Sequence, residues 1–206
     1  MSLRRDPPSK SSYKEHIMTK ITAFYEDKLR KAATGNSLMT YLNVSTLGLR
    51  GRHHPALANM ITTNDVRTSR PHLKLLSGNY LTYKVKSDQS GGSPDCRICN
   101  TGVEESVSHV VSLCGGMADD RTRIFTQFRT LCDSTKNRID FDEISTCEDN
   151  LTQFILDPTS LNLPVRVHVS DPLVPQLFKL AREFCYTIDK TRIGLLKSME
   201  KERQAD

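Results

Sequence analysis

The sequence predicts a mainly α-helical fold with little β structure. Two observations support this fold class. Apolar residues recur at helical spacing in several stretches, and glycine, asparagine or proline stands where most of these stretches begin or end. The chain also has no internal repeat that would indicate a repeat architecture.

The 206-residue chain is long enough for one ordinary domain or two small ones without disulfide bonds. Its apolar content of 37% and its lack of tryptophan predict a modest core with polar connections. No window approaches the roughly eighteen consecutive apolar residues of a membrane span, and residues 1–16 carry charge and proline where a signal peptide is apolar. We therefore expect an intracellular protein, cytoplasmic or nuclear, that does not enter a membrane.

Charge is unevenly distributed along the chain. Residues 1–90 contain 15 lysines and arginines against 6 aspartates and glutamates, whereas residues 91–206 contain 14 against 18. A basic half of this kind is typical of a surface that contacts phosphate, although a solvated basic face without a partner gives the same count. The composition therefore favours, without requiring, a nucleic-acid partner.

The N-terminal part is predicted to contain one amphipathic helix between two irregular segments. Residues 1–12 are polar and contain two prolines, and we interpret them as a disordered linker. Apolar residues at helical spacing predict a helix over residues 13–33, with glycine and asparagine after it. Residues 37–60 show no sustained period and are expected to be irregular.

The following segment predicts a helix, a strand and a joint. The helix is expected to begin after Ser69, with Pro71 in its first turn, and to end near Gly78. A short strand is expected at residues 80–85. Residues 87–95 are rich in serine and glycine and are interpreted as a flexible joint.

Three more helices are predicted toward the C-terminus. One covers residues 121–132, and a shorter one contains residues 151–155 and stops at residues 157–158. The longest helix opens at Pro175 and is weakened by Gly194. Its apolar stripe consists of Leu177, Leu180, Ala181, Phe184, Cys185, Ile188, Leu195 and Met199.

One segment has metal-ligand spacing, C-x2-C-x9-H-x4-C, formed by Cys96, Cys99, His109 and Cys114. Two cysteines separated by two residues can direct both sulfurs to one point, and residues 100–102 supply the reversal that follows. The second pair is predicted on a helix, with Cys114 at or just past its end. These four residues are predicted to hold one structural Zn²⁺ in a closed tetrahedral shell.

Two alternatives remain open for this cluster. Its spacing could arise by chance among reduced cysteines, or Cys96 and Cys99 could form a disulfide, which a reducing compartment and so short a loop disfavour. The spacing differs from that of a C2H2 finger, so no groove-reading helix is inferred. Because the shell is closed, and because Glu104 and Glu105 suit a helix N-terminus, we expect no enzyme active site.

Five further residues could be mistaken for site residues. Cys132 and Cys185 lie on apolar helix faces and are predicted to be core residues, and Cys147 is predicted to be free and exposed. Asp119 and Asp120 follow two glycines and precede a predicted helix. We interpret them as N-terminal helix residues and not as catalytic metal ligands.

These assignments complete the predicted architecture, an irregular helical domain with a small CCHC zinc-binding subdomain and little β structure. It divides into a linker, a basic helical region, a joint, the CCHC segment and a C-terminal helical region, at 1–12, 13–86, 87–95, 96–118 and 119–206.

Four stretches of the sequence resemble a known family. They are PHLKLLSGNYLTYK, CRIC with ESVSHVVSLC, LTQFILDPTSLNLP, and LFKLAREFCYTIDKTR, within a resemblance that covers about residues 40–197. In content and order they resemble the region after the reverse-transcriptase domain in polyproteins of non-LTR retrotransposons, particularly jockey-like elements. The resemblance implies a zinc-binding tail that helps the upstream polymerase hold template RNA and nicked target DNA during target-primed reverse transcription. It is compatible with an element fragment, a truncated copy or a host-adopted gene.

The leading hypothesis is a nucleic-acid-binding module, contacting RNA or DNA mainly through phosphates, without a small-molecule substrate. Tyr80 and Tyr83 are the candidates for base stacking. The alternative is a protein-interaction or assembly domain that offers the apolar stripe of the last helix to a partner. The candidate nucleic-acid contacts are Arg50, Arg52, His53, His54, Arg67, Arg70, Lys74, Lys84 and Lys86.

Overall fold

The computed structural model of the chain describes residues 9–36, 39–47, 54–57, 60, 62–134, 139–160, 163–164 and 167–205. Within these residues the fold is mainly helical, which confirms the predicted fold class. Their β structure consists of one isolated antiparallel bridge between Asp95 and Glu104. None of their helices combines the length and the apolar character needed to cross a lipid bilayer.

Seven α-helices follow one another in the described part of the chain: α1 (Lys10–Thr34), α2 (Thr63–Leu76), α3 (Tyr83–Ser90), α4 (Ala118–Asp133), α5 (Phe141–Ser145), α6 (Glu148–Leu156) and α7 (Val174–Ala205). Short 3-10 turns cover Val44–Thr46, Pro55–Leu57 and Gly115–Met117, and a π-helical turn covers His109–Leu113.

Helix α2 begins earlier than the sequence suggested. The Thr62 hydroxyl accepts a hydrogen bond from the Asp65 amide at 3.1 Å, and the Asp65 carboxylate accepts one from the Thr62 amide at 2.8 Å. This reciprocal capping box satisfies amides that a helix start otherwise leaves unpaired. The expected start after Ser69 is therefore wrong, and Pro71 lies inside the helix instead of in its first turn.

The strand predicted at residues 80–85 is also wrong, because α3 begins within it. The Thr82 hydroxyl accepts a hydrogen bond from the Val85 amide at 3.2 Å and caps this helix. The helix continues through residues 87–90, so the expected joint contributes its first four residues to α3. Gly91 follows with a φ of 76°, a backbone conformation that glycine adopts at little cost.

The core lies where α7 packs against α2, α4 and α6. Leu177 and Phe184 of α7 are completely buried, and Ile188 is 1% exposed. Full burial of side chains of this size contributes about 1.5–3 kcal/mol each. The stripe from Leu177 to Ile188 therefore belongs to the core and is not open to a partner protein in the folded chain, whereas Leu195 and Met199 at its C-terminal end are half-buried.

Helix α1 is the exception to this packing. Its existence confirms the predicted N-terminal helix, yet its buried residue is Ala33, near the C-terminal end. That end lies against the 3-10 turn at Val44–Thr46. The apolar residues that predicted the helix remain largely exposed to solvent.

A buried carboxylate fastens the irregular segment after α1 to the end of α6. Asp157 is completely buried and accepts hydrogen bonds from the amides of Asn43, at 2.8 Å, and Thr159, at 3.1 Å. The His54 ring lies 3.2 Å from the same carboxylate. We refer to Asp157, Asn43, Thr159 and His54 as the Asp157 cluster.

Candidate metal centre

The first two cysteines lie in a tight hairpin. The Cys96 amide donates to the Val103 carbonyl at 2.8 Å, and the Asn100 amide donates to the Cys96 carbonyl at 3.3 Å. The reversal between these residues needs unusual backbone conformations, with φ of 51° at Asn100 and 70° at Gly102. Asparagine and glycine are the residues that adopt positive φ most readily, which is why this sequence turns here.

The second pair lies at the two ends of the π-helical turn. The Cys114 amide donates to the His109 carbonyl at 2.7 Å, the i to i+5 hydrogen bond of a π-helix. Because this hydrogen bond joins the backbones of the two ligands, the x4 gap brings both of them to one side of the turn. The prediction that Cys114 lies just past a helix end is confirmed, whereas the π geometry was not predicted from the sequence.

The four predicted ligands come together in space. Their ligand atoms, three Sγ and one imidazole nitrogen, all lie within 4.8 Å of one another. The Sγ atoms of Cys96 and Cys114 are 3.7 Å apart, and Cys99 Sγ lies 3.5 Å from His109 Nε2. These four residues are close enough to hold a metal ion.

Burial sets the electrostatics of the centre. Cys96, Cys114 and His109 are at most 4% exposed, whereas Cys99 is half-buried. Burial raises the pKa of the Cys114 thiol to about 12, raises the pKa of Cys96 and lowers the pKa of His109. Cys99 is the exception, because its partial burial is outweighed by hydrogen bonds, chiefly with Thr101, that lower the pKa of its thiol. The site therefore disfavours thiolates at Cys96 and Cys114 and a protonated imidazole at His109, and a bound cation would make three deprotonated cysteines compatible with it.

A buried ion pair fastens the hairpin to α7. Glu105 is completely buried, and its two carboxylate oxygens accept from the Arg192 guanidinium at 2.8 and 3.0 Å. The same carboxylate accepts from the Tyr83 amide, the first residue of α3, at 2.6 Å. The sequence interpretation of Glu105 as a residue for the helix dipole is therefore wrong, since its partners are specific and distant in sequence.

Arg121 is a second residue that sequence reasoning missed. It is 7% exposed, its guanidinium donates to the Cys114 carbonyl, and its Nη1 has no hydrogen-bond partner among the described residues. A cation in the first turn of a helix opposes the helix dipole, so its position in α4 was a usable signal. It places positive charge beside Cys114.

The candidate nucleic-acid residues lie in several different environments. Arg67, Arg70 and Lys74 are exposed on α2. Lys84 forms an ion pair with Glu104 at 2.6 Å. Lys86 lies over the Tyr83 ring at 5.1 Å, and Arg50, Arg52 and His53 lie outside the described residues.

Two residues that were predicted to contact nucleic acid lie in the interior of the protein instead. His54 is 7% exposed and belongs to the Asp157 cluster, so its ring is not offered to a phosphate. Tyr80 is 4% exposed and its hydroxyl donates to Asp189 at 2.9 Å, which removes it as a stacking candidate. Tyr83 remains half-buried, and the Arg97 guanidinium lies 4.6 Å from the centre of its ring.

The interpretations of the other three cysteines and of the two aspartates agree with the structure, whereas residues 10–12 of the expected linker belong to α1. Cys132 and Cys185 are buried core residues, and Cys147 is an exposed free thiol. Asp119 and Asp120 lie in the first turn of α4, as expected for residues that favour a helix N-terminus.

Comparison of the chain with protein-family models, with curated proteins and with solved structures finds no match in any of the three.

Proposed function

We propose that the centre binds one Zn²⁺ and that the chain is a zinc-stabilised nucleic-acid-binding module, belonging to or derived from the tail of a non-LTR retrotransposon reverse transcriptase. The family assignment within this proposal rests on the sequence resemblance. The zinc and nucleic-acid parts rest on residues of the described structure.

The ligand geometry supports zinc. A tetrahedral Zn²⁺ with about 2.3 Å to sulfur and about 2.05 Å to nitrogen requires S–S separations of about 3.8 Å and S–N separations of about 3.6 Å. Two of the separations match these values, at 3.7 Å for Cys96 and Cys114 and 3.5 Å for Cys99 and His109, and all the ligand atoms lie within 4.8 Å of one another. Three thiolates and one imidazole are also a common ligand set of structural zinc sites.

The ion would have a structural role. Four protein ligands complete a tetrahedral shell and leave no position for a substrate or a reactive water. The ligands connect the hairpin to the π-helical turn that leads into α4, so the ion would hold together a segment that has little regular structure of its own.

A row of cations on α2 carries the nucleic-acid part of the proposal. Arg67, Arg70 and Lys74 are spaced by three and four residues, so they lie on one face of the helix, and all three are exposed. None of them forms an ion pair with a carboxylate in the described part of the chain. The row is about 10 Å long, which matches about three phosphates of one strand.

The experiment compares two double variants in a salt series. Arg70→Ala with Lys74→Ala removes two charges from the row, and Lys197→Ala with Lys201→Ala removes two exposed charges from α7 as a matched control. We expect the α2 variant to weaken RNA or DNA binding at low salt and to reduce the slope of log K against log salt by about two, because each phosphate contact contributes about one.

Equal effects of the two variants would contradict the assignment to α2. Absence of any binding at low salt would overturn the nucleic-acid proposal as a whole. Native mass spectrometry with and without a chelator tests the zinc separately, and we expect one equivalent of zinc in the untreated protein.

A further inference from the structure

Helix α1 presents a large apolar surface that nothing in the described part of the chain covers. Taking about 200 Å² for a side chain of this size, the total exposed area is on the order of 700 Å², well above the apolar patches that ordinary surfaces carry by chance. The exposed residues, each 36–63% accessible, are Tyr13, Ile17, Met18, Ile21, Phe24, Tyr25 and Leu29.

Lysines stand inside this apolar face. At about 100° per residue, Lys10, Lys14 and Lys28 all lie within about 20° of Ile21 around the helix axis. All three are exposed, and none forms an ion pair within the described residues. The acidic residues of the helix, Glu15, Glu26 and Asp27, lie more than about 100° from Ile21. The exposed face of α1 therefore combines apolar side chains with positive charge.

The combination of apolar side chains and lysines distinguishes between the molecules that could bind this face of α1. One possible occupant is a second copy of α1, packed face to face with Ile21 against Ile21. If the two helices ran antiparallel, Lys14 of one chain would lie against Lys28 of the other. If they ran parallel, Lys14 would lie against Lys14. Like charges facing each other oppose such a pair. A lipid surface is matched by a helix whose cations flank the apolar stripe, whereas here they lie along its centre.

We propose that α1 binds unpaired nucleotides of a single strand, with Phe24 and Tyr25 stacking on bases and Lys14 and Lys28 contacting the adjoining phosphates. A single strand offers apolar base faces and negative charge in alternation, which is the pattern of this helix. Phe24 and Tyr25 are 63% and 62% exposed, so both rings are accessible. The inference rests on the proposed function and names its substrate class.

The first experiment separates stacking from charge. Phe24→Leu with Tyr25→Leu keeps the face apolar and removes both rings, and Ile17→Leu on the same face is the control. We expect the double variant to bind a 20-nucleotide unstructured RNA or DNA at least tenfold more weakly, since stacking gives about tenfold or more per base. Binding of a 20-base-pair duplex should not change, because duplex bases are already stacked.

The second experiment uses the absence of tryptophan from the chain. Phe24→Trp introduces a unique fluorophore on the face, and we expect single strands to quench its emission as bases stack on the indole. A blue shift on raising the protein concentration alone, with dimers in light scattering, would overturn the inference in favour of self-association. A blue shift with vesicles of phosphatidylserine and phosphatidylcholine, without quenching by oligonucleotides, would overturn it in favour of a membrane surface.

The inference and the proposed function fail in different ways. If the unchanged protein binds nucleic acid and the Phe24 and Tyr25 double variant keeps its single-strand affinity within twofold, the inference is wrong and the proposed function stands. If the unchanged protein binds neither single strands nor duplexes at low salt, both are wrong.

Discussion

The metal centre and the Asp157 cluster are two solutions to the same physical problem, the anchoring of backbone that has no regular hydrogen-bond ladder. At the metal centre, the hairpin and the π-helical turn converge on four ligand atoms that lie within 4.8 Å of one another. At the Asp157 cluster, one buried carboxylate accepts from the amides of Asn43 and Thr159. The first solution, with the zinc proposed above, would need an ion from outside the chain, whereas the second is complete within it. The two regions should therefore respond differently to metal, mutation and acid.

Removal of the metal should have the largest effect. Structural zinc contributes about 10–16 kcal/mol to the folding of small zinc-dependent peptides, so we expect a chelator or Cys114→Ser to unfold the segment from the hairpin to the start of α4. Hydrogen exchange should show loss of amide protection there, with the amides of Asn43 and Thr159 still protected. Cys147→Ser, at an exposed thiol, is the matched control and should change nothing. Equal loss of protection in both regions would show that they form one cooperative unit.

Glu105→Gln should have the next largest effect. The substitution removes the charge that compensates Arg192 while leaving a side chain of similar size, and breaking a buried ion pair costs about 3–5 kcal/mol. We expect urea unfolding to show a loss of this size. Glu104→Gln, at a half-exposed ion pair, should cost less than about 1 kcal/mol. If both variants cost the same, burial of the Glu105 pair has no energetic consequence.

Asp157→Asn should destabilise the other region without affecting metal content. The amide NH2 would replace an acceptor oxygen that now faces backbone N–H donors, leaving at least one donor unpaired at a cost of about 1–3 kcal/mol. Thermal unfolding measures the loss, with Asp88→Asn at an exposed position as the control. Zinc stoichiometry by mass spectrometry should remain at one. A fall in stoichiometry would contradict the independence of the two regions.

The smallest effect should come from acid acting on His72. This ring is completely buried beside the Asp157 cluster; its Nε2 donates to the Leu156 carbonyl at 2.8 Å, and burial lowers its pKa to about 4. The imidazole of the unfolded chain takes up a proton near pH 6.5, whereas that of the folded chain does so only near pH 4. The contribution of neutral His72 to the free energy of unfolding is therefore fully present above pH 6.5 and declines as the pH falls toward 4. Between pH 7 and pH 5 the loss should be about 2 kcal/mol.

A matched variant isolates this contribution. His72→Gln can still donate to the Leu156 carbonyl but does not titrate, so its stability should fall less between pH 7 and pH 5. Acid loss of the metal is common to both proteins and cancels in the difference between their urea unfolding curves. Identical pH slopes would contradict the lowered pKa of His72.

The metal centre was more predictable from the sequence than the rest because its determinants are local. All four ligands lie within residues 96–114, and the turn residues that position them lie between them. Helices α4, α6 and α7 were predictable for the same reason, since each carries its own apolar period. The π-helical turn was not, because a five-residue spacing in the sequence does not distinguish it from an α-helix followed by a loop.

The missed features depend on residues far apart in the chain or on a single capping group. Glu105 and Arg192 are separated by 87 positions, and Asn43 and Asp157 by 114. Nothing local in the sequence indicates either pair. The start of α2 was missed because a polar capping box precedes the apolar positions on which the helix prediction depended. Apolar periodicity alone also could not show that α1 remains exposed, since a core-facing helix has the same pattern.

The Glu105 carboxylate joins three separate parts of the molecule, because one side chain accepts hydrogen bonds from the first amide of α3 and from a guanidinium of α7. Oxidation of the thiols or withdrawal of the ion would move this carboxylate and leave both donors stranded in the interior. Damage at the sulfurs would consequently reach Lys84 and Lys86, which α3 carries on its surface. Redox chemistry at the cysteines would then be linked to the position of α3, without any change in the residues of α3 themselves.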